Sequence, residues 1–141
     1  MIVENKRQQK TCCFYVSEFH LEMILLPYIN EKIKENEDIT ILTEIKLQDT
    51  VEILISKMNL EEENKQKILE LGWNGENELK GNSNIIIIGS QEYIEKENKN
   101  IENINTSTIV DCYNFEEIKN NLESVTKNYK KSLNTLGKNI F

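Results

Sequence analysis

Apolar positions along the chain switch between two periods, and the switches mark out the elements. Thr11–Val16 (TCCFYV), Asp38–Glu44 (DITILTE), Ile85–Ile88 (IIII) and Thr108–Val110 are short apolar runs that read as strands. Between them, apolar residues recur at steps of three and four. Ser17 is placed to cap a helix carrying Phe19, Leu21, Met23, Ile24, Leu25, Ile29 and Ile33, with Pro27 inside it and a kink or a break expected there. Asp49-Thr50-Val51-Glu52 and Asn59-Leu60-Glu61-Glu62 have the spacing of helix starts, and Gly72 is placed as a left-handed stop after the second of these helices. Gln91–Ile104 reads as a polar edge helix, and Asn114-Phe115-Glu116-Glu117 as the start of a last one. In that last segment Phe115, Ile118, Leu122, Val125, Tyr129, Leu133 and Leu136 keep helical spacing, which predicts a long amphipathic C-terminal helix over 115–136.

Strands alternating with helices imply a three-layer α/β sandwich: a mainly parallel sheet of about four strands with helices on both faces. The run of four isoleucines has no polar side, so that strand is expected to be covered on both faces and central. The 141 residues fit one domain, preceded by a flexible N-terminus over 1–10. No apolar run approaches the ~20 residues of a membrane span, and Met1–Lys10 is polar, so a soluble cytoplasmic protein without membrane association is expected.

Charge narrows the possible partners. The net charge is −7, but Lys6, Arg7 and Lys10 outnumber Glu4 at the start, and after residue 118 five lysines face Glu123 alone. The stretch between holds −13. Such a body repels a phosphate backbone and argues against nucleic acid. Cys12, Cys13 and Cys112 are an odd set without C-x-x-C spacing, and His20 is the only histidine, so buried free thiols are expected rather than a disulfide framework or a zinc site.

In a parallel sheet, ligands bind beyond the carboxyl ends of the strands. Those ends are expected to offer Ser17, His20, Glu44, Ser90 and Asp111 as a candidate crevice for a small molecule. His20 is the one side chain that titrates near neutrality unaided. Glu44 and Asp111 suit magnesium only where a phosphate completes its shell. The corner after the first strand, Ser17-Glu18-Phe19-His20-Leu21-Glu22-Met23, has neither the glycines nor the lysine that a phosphate loop needs. No catalytic residue, metal or cofactor is therefore expected.

Four short stretches carry a resemblance: Cys13-Phe14-Tyr15, Glu37–Glu44 (EDITILTE), Leu71-Gly72-Trp73-Asn74 and Ile109-Val110-Asp111. Over roughly residues 11–118 their order resembles the core of RecA/KaiC-like ATPases, particularly the degenerate sensory domains of the MEDS type. In active members the residues matching Glu44 and Asp111 would serve water activation and magnesium binding. Without a phosphate loop, the resemblance implies a binding-only relative, a regulatory or protein-interaction domain. The stripe Ile118, Leu122, Val125, Tyr129 and Leu133 lies outside the likeness and is the expected surface for a partner protein or for a homodimer.

Overall fold

A computed structural model describes residues 9–81, 83–102, 104 and 108–140. In chain order the elements are β1 (Gln9–Tyr15), α1 (Glu18–Lys34), β2 (Ile39–Thr43), α2 (Gln48–Lys57), α3 (Glu62–Leu69), β3 (Asn84–Gly89), α4 (Gln91–Ile101) and β4 (Thr108–Asn114). There follow two short helices, α5 (Phe115–Ile118) and α6 (Leu122–Thr126), then β5 (Lys131–Asn134) and β6 (Gly137–Ile140). The sheet has six strands in the order β2-β3-β4-β1-β5-β6, parallel except for β6. Of the expected flexible N-terminus, Gln9 and Lys10 are paired in β1, and residues 1–8 lie outside the described residues.

Alternation along each strand divides the core in two. Cys13, Tyr15, Ile41, Ile86, Ile88, Val110 and Cys112 face α1, α2 and α3. Cys12, Leu42, Ile85, Ile87, Ile109 and Tyr113 face α4, α5 and α6. Helices thus cover both faces, as expected, and the neighbouring cysteines Cys12 and Cys13 point to opposite layers. All three cysteines are buried and free. The β1–β2 and β2–β3 crossovers use the same face but run in opposite directions across the sheet, so they have opposite hands. The β3–β4 and β4–β5 crossovers share the hand of the first, so β2–β3 differs in hand from the other three. The β2 edge is covered by the loop after α3, where Asn77 Nδ2 donates to the carbonyls of Ile41, Leu71 and Gly72.

Several expectations are corrected. α1 runs unbroken through Pro27, which sits on its exposed side. Gly72 does adopt a left-handed φ of 88°. Neither expected acidic start caps its helix: α2 begins after Leu47 and α3 after Glu61, both without a side-chain cap. The Gln48 N–H is instead taken by Asn74 Oδ1, 26 residues away, at 3.1 Å, and the Leu47 N–H by the Trp73 carbonyl at 2.8 Å.

The long C-terminal helix does not form. Ile118, Val125 and Tyr129 are buried on the α4 side and Leu122 is packed against them, whereas Leu133 belongs to β5 and packs on the α1 side. The five residues therefore share no face and make no interaction stripe. Pairing of β5 with β1 and of β6 with β5 replaces the last helical turns, and a two-residue turn, Thr135-Leu136, closes the hairpin ahead of Gly137 at φ 103°. The composition favours this outcome, because Asn, Ser, Thr and Gly through 126–139 are poor helix formers.

One buried polar pair on the α1 side matters for stability. Glu22 is fully buried, bonded to the Thr50 hydroxyl, and its Oε1 has no partner. Burial pushes its carboxyl up to about 7, with the Thr50 bond opposing and Glu18 adding to the shift. When protonated, Glu22 donates to Thr50 Oγ1, leaving the Thr50 hydrogen for the Leu47 carbonyl at 3.1 Å. Between about 4.5 and about 7 the folded chain holds a proton that the unfolded chain has released, so the stabilisation present at low pH is lost as pH rises. Denaturant titrations from pH 5 to 8 should show Glu22→Gln lacking a decline in stability of about 2–3 kcal/mol seen in the parent; equal slopes in the two proteins would refute this assignment.

Candidate functional site

The carboxyl ends of β1 to β4 open into a crevice of about 290 Å³. Ser17 and Glu18 enter it from the β1–α1 corner, Glu44 from the end of β2, Ser90 from the end of β3, and Asn114 and Glu117 from the β4–α5 junction. Three expected residues, Ser17, Glu44 and Ser90, thus meet here. His20 and Asp111 do not line it.

Each side chain is held by a local backbone need. At α1, the Ser17 hydroxyl accepts the His20 N–H at 3.1 Å, and His20 Nδ1 accepts the Val16 N–H at 3.0 Å. An accepting Nδ1 leaves the imidazole proton on Nε2 and ties the ring to the corner behind the cap. His20 thus gives its own N–H to the Ser17 cap and takes the N–H of Val16, one residue ahead of that cap, so the bonding is not the reciprocal pair of a capping box.

At α4, Ser90 Oγ accepts the Tyr93 N–H at 3.1 Å, while Glu44 Oε1 accepts the N–H of Ser90 itself at 2.8 Å. The Glu44 carboxylate thus sits where an external anion would bind, at the positive end of an 11-residue helix. Gly89 makes this possible, because a Cβ there would lie 2.7 Å from Glu44 Oε1 and 2.6 Å from Tyr93 Cδ2. Asn114 Oδ1 accepts the Glu116 N–H at 3.0 Å, as its start signal predicts. Glu117 was not among the expected site residues, although its place three residues after the Asn114 start signal is the feature that could have pointed to it.

The crevice is lined by Glu18, Glu44 and Glu117 and by no lysine or arginine. Three charges are negative, and the His20 amide at α1 and the Ser90 and Tyr93 amides at α4 are already bonded to the chain's own oxygens. No group of three or more His, Cys, Asp or Glu among the described residues is arranged to hold a metal ion.

Asp111 lies elsewhere. β4 runs on to Asn114, so Asp111 is inside the strand, opposite Cys12 and Ile87, with its side chain in the α4 layer. Asp111 and Glu44, expected together in one strand-end crevice, therefore do not share it. Its Oδ2 accepts the Tyr129 hydroxyl at 2.6 Å, its Oδ1 accepts Asn98 Nδ2 at 3.1 Å, and the Tyr113 and Tyr129 hydroxyls are 2.6 Å apart. Burial raises the Asp111 carboxyl, and the Tyr129 and Asn98 bonds and Lys10 pull it back. Burial likewise raises Cys112 well above the ordinary thiol range and pushes Cys12 up to about 12, so neither offers a thiolate near neutrality.

Two substitutions test these placements by denaturant unfolding. Tyr129→Phe removes a donor from a buried carboxylate and should cost about 2–3 kcal/mol; a loss no larger than that of a half-buried control such as Tyr93→Phe would show that the bond carries nothing. Gly89→Ala should cost about 1–3 kcal/mol by forcing Glu44 off the Ser90 amide, and combining it with Glu44→Ala should recover part of that loss.

Compared with known proteins, the chain matches no family model, no curated protein and no solved structure.

Proposed function

We propose that the chain is a non-catalytic, cytoplasmic regulatory or protein-interaction domain, a degenerate RecA/KaiC-like domain of the MEDS type that does not take a nucleotide. The observation that carries this reading is the Glu44 carboxylate on the Ser90 amide, in a crevice whose other charges are Glu18 and Glu117. An incoming polyphosphate would meet three negative charges, with the His20, Ser90 and Tyr93 amides already bonded to the chain's own oxygens. No helix among the described residues is long and apolar enough to cross a membrane, which agrees with a domain that works in solution.

A partner protein or a second copy cannot use the stripe 118–133, because those residues fill both core layers. Exposed apolar side chains cluster at the start of α1, where Val16, Phe19 and Met23 are 63%, 44% and 53% exposed and Phe19 and Met23 are one turn apart, whereas Ile53 on α2 stands alone. This ridge is the surface we assign to a partner.

The crevice also supports a second reading, a small-molecule binder or small enzyme acting at the strand ends. Its carboxylates would then select a cationic amine over any phosphate.

Thermal unfolding with ATP, GTP or ADP and magnesium should show no shift, whereas any ligand present at 100 times its dissociation constant would add about 2.7 kcal/mol. Stabilisation by a nucleotide would overturn the proposal. Stabilisation by a small primary amine that disappears in Glu44→Gln would move the assignment to the second reading.

A further inference from the structure

A second cavity lies in a different part of the molecule. Further along α1, away from the crevice, a groove of about 360 Å³ separates the helix from the β5–β6 hairpin. Ile24, Pro27 and Tyr28 form one wall, and Leu133, Thr135 and Gly137 the other. The exposed wall surface is mainly apolar, although Glu31, Lys32, Glu35 and Lys138 also line it, and a cleft of this size fits a small organic molecule.

Its charges are arranged unevenly. Lys32 Nζ and Lys138 Nζ stand 5.6 Å and 5.5 Å from the centroid of the same Tyr28 ring, which holds two ammonium groups at the groove. The Tyr28 hydroxyl is in turn anchored 3.1 Å from Thr108 Oγ1. Lys32 is neutralised by Glu37 at 3.7 Å and Glu35 at 4.0 Å. Glu31, also in the wall, is held by Lys34 at 3.7 Å. Lys138 has no carboxylate within salt-bridge distance among the described residues. Burial, then the like charges of Lys32 and Lys131, pull its ammonium below the ordinary lysine value, with Glu37 opposing. A negative charge placed on Lys138 would relieve that repulsion.

We infer that this groove binds a small monocarboxylate with an aromatic or branched aliphatic body, the body packed against Ile24, Pro27, Tyr28 and Leu133 and the carboxylate paired with Lys138. One negative charge suits the site better than two, because Glu31 and Glu35 share its rim. A charge-assisted bond from a partly desolvated ammonium is the strong anchor here, and the apolar walls discriminate against bare inorganic anions. The inference does not depend on the fate of the strand-end crevice, since that site is tested with nucleotides and amines and this one with apolar acids.

The test is a two-dimensional NMR titration of the full chain with phenylacetate and 3-methylbutyrate, with their neutral amides, and with inorganic phosphate as controls. The acids should perturb resonances of Ile24, Tyr28 and Leu133 at millimolar concentration, and the amides should bind about tenfold more weakly or worse. Lys138→Met keeps the aliphatic stem and should bring the acids down to the amides. Thr135→Trp, at the exposed rim, should abolish binding of both while leaving the rest of the spectrum in place. Absence of any perturbation at the groove, equal binding of acid and amide, equal binding of phosphate, or an acid preference that survives Lys138→Met would each overturn the inference.

Discussion

Burial of both faces of the central strands governs this molecule. Ile85, Ile86, Ile87 and Ile88 are all fully buried, as are Cys12 and Cys13 on β1 and Ile109, Val110 and Cys112 on β4. A sheet with no wet side must be covered twice, which sets the three layers and excludes polar chemistry from the middle of the strands. The two acids that do lie inside illustrate the rule. Asp111 keeps its place through a tyrosine hydroxyl and an amide, and Glu22 through holding a proton. Neither is accessible to a substrate. Reactivity, if the chain had any, would be confined to the strand ends.

At those ends the chain answers its own electrostatic demands. A helix N-terminus attracts an anion because its first amides lack partners. Here a serine hydroxyl, a histidine ring and a glutamate carboxylate occupy that role, each from within a few residues or from the neighbouring strand. The same groups that make the corner stable make it unreceptive to phosphate. Capping and anion binding compete for the same amides, and here capping has taken those of His20, Ser90 and Tyr93.

Signals local in sequence were legible; those arising between distant segments were not. The β1 to β4 runs, the Ser17 and Asn114 caps and the left-handed Gly72 follow from a few neighbouring residues, and each stands in the structure. The starts of α2 and α3 were misread because the amide at α2 is satisfied across the fold by Asn74 and Trp73, and no spacing within the helix encodes that. Asp111 was misplaced for a related reason. Thr108–Val110 looks like a complete strand, but Cys112 and Tyr113 continue it because Cys13 and Phe14 are there to pair with them. An acid assumed to sit at a strand end thereby became a core residue, and a pair of carboxylates that would have met at the crevice was separated.

The C-terminal segment shows how an apolar rhythm can be satisfied by two structures at once. Steps of three and four bring Ile118, Leu122, Val125 and Tyr129 onto one side, and the short helices use that much of the pattern. Leu133 obeys the same spacing, yet an unpaired edge of β1 lay nearby, and backbone pairing along Thr11–Cys13 outweighs one more turn of helix in a stretch rich in asparagine. Spending the segment as strands moves the open edge of the sheet out to β6. Pairing two such edges from separate copies would bring together lysines that have no carboxylate to share, which is the usual protection of an exposed edge against self-association. The hairpin that replaced the expected dimerisation helix thus carries Lys138 on the open edge beside the exposed Leu136 and Ile140. Its unshared positive charge beside an apolar wall suits a small acid.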